Sequence, residues 1–421
     1  METEKQLFGM DPKKGRWIFI LIGISINLCL GSIYAWSVFS KPLEEAFNIG
    51  ATESLLPFIV FLATIAIVMP FAGGPLDRYG PRKLIVSGAL LAGAGWLLGS
   101  IATNIEMLTL TYGIIGGIGV GLVYNCPIGV AGRWFPDRRG FATGATILGF
   151  GLSPFITAPL ANSWIEEFGV LPTFRYFGLL YIVLIIPLGL LLSFPPKDWN
   201  PGTSLKRTVS HFIPLRQMKR SEMVRTKEFW GLWICFIIST FTGLMAVGIC
   251  SPVGQEVFAL DATAAAWFIG IFAIFNGIGR PVFGHLVDLT GARTSAVISF
   301  FIIFSAALLL LYGATSAELL PYIIGFSALW MCLGGWLAIA PASTAHFFGI
   351  RHYGQNYGLI NTAYGVGAVA GNLLAGGIRD TMGSYISVFY PVAILALSGA
   401  CIAFFLMKKE GNCLSEKSES A

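Results

Sequence analysis

Charge is the scarcest thing in this sequence: only 12% of its 421 residues are Asp, Glu, Lys or Arg, whereas 55% are hydrophobic and mean hydropathy is +0.74. A soluble domain carries about 25% charged residues, so a water-soluble enzyme, a nucleic-acid binder or a disordered scaffold does not fit. Catalytic signatures are missing as well. There is no HExxH, no GxSxG and no GxxxxGK[ST], which leaves hydrolysis and ATP-driven pumping without candidates. The four histidines, at 211, 285, 346 and 352, fall in loops or at segment ends. The seven cysteines form no CxxC pair, and all but Cys413 sit in apolar runs, which reads as small buried hydrophobes rather than a metal set or disulfide frame. No cofactor is expected.

What the chain has in quantity is apolar length. Segments at 17–39, 55–76, 84–102, 107–131, 141–163, 174–194, 229–253, 263–287, 295–313, 319–343, 356–378 and 386–407 are each about 20 residues, the length that crosses a hydrocarbon layer as a helix. Barrel strands would be about ten residues long and alternate in polarity. The expected fold is therefore an all-α membrane protein with twelve transmembrane helices in two six-helix halves. Residues 1–194 and 229–407 form the halves, 195–228 a basic linker, and 408–421 a tail. The first run exceeds a signal-peptide core and reads as a retained span. Trp17, Trp230, Trp233 and Tyr322, near span ends, read as interfacial anchors.

Basic residues crowd one side of this arrangement: the N-terminus, the 2–3 and 4–5 loops, the linker and the tail. The opposite loops hold only Lys41, Arg175 and Arg379. By the positive-inside rule both termini and the linker are cytoplasmic, in a multi-pass protein of the cell membrane. One basic residue is left over. Arg280 lies eight residues before Asp288, about 12 Å into a layer roughly 30 Å thick, and no acidic residue shares its depth. The other acidic residues, too, fall in loops or at span ends.

The chain also repeats itself. Gly73-Gly-Pro-Leu-Asp77-Arg78-Tyr-Gly80-Pro-Arg82 and Gly284-His-Leu-Val-Asp288-Leu-Thr-Gly291-Ala-Arg293 both obey GxxxDxxGxR, about half a chain apart. The first Gly permits close helix approach, the Asp can accept hydrogen bonds or cap a helix, the second Gly ends the helix, and the Arg faces anionic lipid or an acidic partner. Trp134-Phe135 echoes Phe347-Phe348 at a similar offset, as Gly149-Phe-Gly151 echoes Gly365-Val-Gly367. Two six-helix halves related by duplication follow.

Twelve spans, the duplication and the doubled motif resemble the major facilitator superfamily over essentially the whole chain. Within it, Gly31-Ser-Ile-Tyr34-Ala-Trp36-Ser, Arg133-Trp-Phe-Pro-Asp-Arg-Arg-Gly140, Phe275-Asn-Gly-Ile-Gly-Arg280-Pro and Asn356-Tyr-Gly358 are similar to the oxalate:formate antiporter family. The resemblance implies a rocker-switch carrier for small carboxylates with a cavity between its halves. It also implies that Arg280 is the substrate-binding arginine and that Tyr34 and Tyr124 are cavity aromatics.

The residues support that expectation independently. A guanidinium in mid-membrane costs about 2.5–3.5 kcal/mol on insertion scales, and a carboxylate held by two parallel hydrogen bonds offsets it. The bland alternative is an Arg satisfied by carbonyls and tyrosines. Asn276 is one turn from Arg280 on the same face; Asn361 and Tyr364 share a face of span 11. Where oxalate carriers have a lysine in span 11, this chain has Tyr364. One fixed cation suits one carboxylate, so a monocarboxylate of the lactate, pyruvate, formate or acetate type is favoured. An oxalate-type exchanger, a carboxylate sensor and a passive channel are the alternatives. Proton or counter-anion coupling, a monomeric state and a bilayer setting are expected, and no nucleic-acid partner is. Leu148, Phe150, Leu333 and Trp336 read as packing residues more than as gates.

Overall fold

The computed structural model describes residues 7–196, 199, 201, 217–316, 318–349 and 351–407, with the side chains of 139 and 140 excepted. The tail 408–421 and most of the expected linker, 197–198, 200 and 202–216, lie outside the described residues. Helices stand at every expected position, because in hydrocarbon a backbone must satisfy its own hydrogen bonds. In the first half, span 1 is Pro12–Leu30 with a tightly wound turn Gly31–Ala35, and a helix Ser37–Phe47 continues past its end. Spans 2 and 3 are Ala51–Tyr79 and Pro81–Gly99. Span 4 joins Ile105–Leu108 and a widened turn Thr109–Gly116 to Gly117–Trp134, and spans 5 and 6 are Arg139–Phe168 and Val170–Leu191. The second half has spans 7 (Lys227–Val257), 8 (Ala262–Thr290), 9 (Ala292–Ser316) and 10 (Leu319–Phe348), span 11 in two pieces (Tyr353–Ile360 and Thr362–Met382), and span 12 (Phe389–Leu406).

Ten of these are long and apolar enough to cross a bilayer. Spans 3 and 11 fall short: span 3 opens on Arg82 and Lys83, and span 11 is rich in Gly and Ala and breaks at Asn361. Packing makes up the difference, since span 3 lies against spans 4 and 6, and span 11 against spans 2 and 7.

Both described chain ends lie on one face, here the terminal face, together with the 2–3, 4–5 and 8–9 loops; the opposite face is distal. The halves meet along two related seams, span 5 on span 8 and span 2 on span 11. The distal helix Ser37–Phe47 packs on span 7.

The repeated motifs do what their glycines require. Gly80 and Gly291 end spans 2 and 8 at φ +79° and +84°, a backbone region that side-chain-bearing residues avoid, and their N–H groups return to the carbonyls of Leu76 and Val287. The charged positions find partners in the protein. Asp77 accepts a hydrogen bond from Arg133, whose guanidinium lies 3.8 Å from the Phe194 ring. Exposed Arg82 donates to the Leu192 carbonyl at 3.1 Å, and half-buried Arg293 lies over the Phe404 ring. Trp17 and Trp230 are exposed as anchors should be. Tyr322 is not: it is fully buried and its hydroxyl donates to the Cys250 carbonyl, because its helix face turns toward span 7. The six described cysteines are free.

Candidate substrate site

Arg280 projects from the middle of span 8 into the seam with span 5. Its Nη1 donates to the Ile147 carbonyl at 2.9 Å, a bond that crosses between the halves. Nη2 approaches Asn276 Oδ1 at 3.4 Å, and Nε is buried without a partner. Among the described residues Arg280 forms no ion pair. Its fork is therefore under-used: a guanidinium offers five N–H donors, and one short bond to a neutral oxygen leaves most of the charge uncompensated.

Asn276 is fully buried and donates to the Trp330 carbonyl at 3.1 Å, which ties span 8 to span 10 while its oxygen faces Arg280. Close helix approach makes this possible. Gly334 of span 10 sits against the Asn276 backbone, and a Cβ on Gly151 of span 5 would lie 3.0 Å from Asn276 Oδ1 and 3.2 Å from Arg280 Nη2. Span 5 can thus lie flush against the guanidinium only because Gly151 has no side chain.

Aromatic rings cluster nearby. Tyr34 and Tyr364 share a hydrogen bond of 2.9 Å across the halves, and the Tyr34 ring stands edge-on to Phe150 at 5.1 Å and to Trp330 at 6.3 Å. Tyr124 meets the other edge of Phe150 at 5.3 Å. The hydroxyls of Tyr34, Tyr124, Tyr357 and Tyr364 all lie within the field of Arg280. Chemically the guanidinium and the phenols offer donors to an anion, beside apolar ring edges.

The expected residues thus divide. Arg280, Asn276, Tyr34, Tyr124 and Tyr364 come together. Asn361 stands instead at the break in span 11, ending Tyr353–Ile360 and beginning Thr362–Met382, with no side-chain bond at its cap position. Phe150, expected to be packing, is the ring between the two site tyrosines; Trp336 packs on Phe236 and Phe300 as expected. Sequence reasoning missed Tyr357, two turns before Tyr364, and did not place Gly151, a span-5 glycine of the kind that marks close-packed helices, beside Arg280. The Ile147 carbonyl is a backbone atom and leaves no mark in the sequence.

A second polar assembly lies at the distal face. Glu256 of span 7 bridges Lys41 at 3.6 Å and Arg379 of span 11 at 2.7 Å. The Asp380 carboxylate accepts from the Ala51 and Thr52 N–H groups at 2.8 and 3.0 Å, capping span 2 from the other half. The related seam answers it. Glu166 of span 5 accepts from Thr263 at the start of span 8, and Asn162 bonds to both. Thr52 and Thr263 stand at the same half-chain offset as Asp77 and Asp288.

The profile of the Major Facilitator Superfamily matches residues 20–343 and 244–419. The chain belongs to that superfamily. It is a multi-pass membrane transporter and not an enzyme. It is 28% identical to the oxalate:formate antiporter of Oxalobacter formigenes over 94% of this chain and 92% of that one. It is 24% identical to monocarboxylate transporter 13 of Bos taurus, over 94% and 91% respectively. In fold it is similar to a bacterial homolog of the human lysosomal transporter Spinster in an inward-facing, unoccupied conformation, with TM-score 0.69, 15% identity and coverage of 94% and 99%.

Proposed function

We propose that this transporter carries a small monocarboxylate by alternating access, with Arg280 as the cation that receives the carboxylate. The observation that carries the reading is the buried Nε of a guanidinium with no acidic partner, set between the halves. In the empty carrier the Ile147 carbonyl holds part of that charge; an arriving carboxylate replaces or shares that bond and takes the free donors, while Tyr34, Tyr124 and Tyr364 donate around it. Asn276 holds the guanidinium in register. Neutralising Arg280 removes the cost of sealing a bare cation away from water, so the loaded carrier closes more readily than the empty one, and exchange is favoured over leak.

On the positive-inside assignment the terminal face is cytoplasmic and both termini are inside. The halves, residues 1–194 and 229–407, then rock about the site as two bodies tethered by the linker. Similarity to an oxalate:formate antiporter and a monocarboxylate transporter supports a carboxylate substrate. The single cation supports the monovalent class, and the Tyr34–Tyr364 pair is what a dicarboxylate reading would use in place of a second cation. Counterflow in proteoliposomes decides between them. Preloaded lactate, pyruvate, formate or acetate is expected to accelerate uptake of its labelled counterpart, with oxalate much weaker. Equal or stronger acceleration by oxalate overturns the monovalent reading, and saturable binding without flux indicates a sensor.

A further inference from the structure

The terminal face carries a basin of about 680 Å³ that the transport reading leaves unused. Lys219, Arg220 and Ser221 from the end of the linker form one rim, and His352 and Gln355 of the first piece of span 11 form the other. Val224 and Leu359 supply an apolar floor. No lining side chain is acidic, and the nearby Glu222 is occupied in receiving the Lys219 N–H at 2.9 Å.

The basin is held in shape by bonds between its two walls. The Met218 N–H donates to the Phe348 carbonyl at 2.9 Å, Asn356, fully buried, donates to the Met218 carbonyl at 3.0 Å, and the Arg351 N–H donates to Gln217 at 2.9 Å. Its depth is marked by Trp230. That ring is exposed, its Nε1 donates to the carbonyl of Val224 in the basin floor, and exposed tryptophans sit at the membrane–water boundary. Cationic rim, hydroxyl and amide donors, an apolar floor and a place at the interface are together the chemistry of a phospholipid phosphate with its glycerol end below it.

We infer that this basin binds the phosphate-bearing headgroup of an anionic phospholipid of the leaflet at the terminal face. A bound headgroup joins the linker to the piece of span 11 that carries Tyr357 and ends at the Asn361 break. It therefore steadies the half-helix that reaches the field of Arg280. The placement rests on the orientation given above; the test reads binding itself and is independent of whether the substrate is a carboxylate.

The full-length protein in nanodiscs of phosphatidylcholine is compared with the same discs containing phosphatidylglycerol, reading lipid retention by native mass spectrometry and thermal stability. Retention of phosphatidylglycerol is expected to exceed that of phosphatidylcholine by roughly thirtyfold, two basic side chains being engaged. The excess should vanish in the Lys219→Gln/Arg220→Gln variant, return in Lys219→Arg, and persist in Lys13→Gln/Lys14→Gln, a charge-matched change of exposed residues outside the basin. Equal retention of the two lipids, or equal loss in both double variants, overturns the proposal. Stabilisation by millimolar inorganic phosphate that matches the lipid effect, and is abolished by the same basin variant, overturns the lipid assignment in favour of a soluble phosphate.

Discussion

At the distal face the two halves are joined by an ion-pair bridge centred on Glu256, by Asp380 on the first turn of span 2, and by Glu166 on Thr263. At the terminal face Asp77 pairs with Arg133 and Arg16 with Asp137 inside the first half, and Asn356 bonds to the linker segment beside its own half. The distal end of the interface is thus fastened across the halves by charged and polar groups, with the Arg280–Ile147 bond and the tyrosine pair crossing the seams as well. The fastenings use charges at helix ends, where partial exposure makes each of them individually weak and reversible. Under the alternating access proposed above, contacts of that strength suit a face that opens, whereas Arg16–Asp137, with side chains 7% and 4% exposed, lies within one half.

The comparison can be broken first at its strongest point. Glu256→Gln removes the carboxylate that bridges Lys41 and Arg379 and is expected to destabilise the distal closure by about 2 kcal/mol, roughly a thirtyfold population shift. Amide hydrogen exchange over residues 37–54 reports it: faster exchange there with unchanged protection of span 9 is the expected result. Asp380→Asn should act in the same direction more weakly, by about 1 kcal/mol or roughly fivefold, with the Ala51 and Thr52 amides the most affected.

The smallest expected effect is a pH slope. Glu44, in the distal extension of span 1, is partly desolvated; Ser54, Lys41 and Arg379 oppose that burial and Glu256 adds to it, and the balance raises its carboxyl above the ordinary value. A carboxyl raised in the closed form favours that form when protonated. The contribution is complete below the ordinary glutamate value of about 4.3 and is lost as pH rises through the raised one. Distal closure should therefore loosen with rising pH across that window. Glu44→Gln should flatten the dependence; an unchanged slope assigns it elsewhere.

Much of this was legible beforehand, and for identifiable reasons. Helix positions follow from apolar length, and Gly80 and Gly291 announced their turns because glycine at a helix end favours a positive φ. Arg280 stood out by its isolation. The distal fastenings did not, because Lys41, Arg379 and Asp380 look like ordinary loop charges until folding brings residues over 300 positions apart together, as between Ala51 and Asp380. Tyr322 misled because proximity to a span end says nothing of which face a ring occupies. Gly151 was visible only as a glycine, while its role depends on what lies across the seam.

The central claim is tested most directly by equilibrium binding of a labelled monocarboxylate to purified wild-type protein and to Arg280→Gln, with circular dichroism confirming equal folding. A loss of about 3 kcal/mol, roughly a hundredfold in Kd, is predicted for the variant, with partial retention in Arg280→Lys. Wild-type affinity in a folded Arg280→Gln protein would contradict the account.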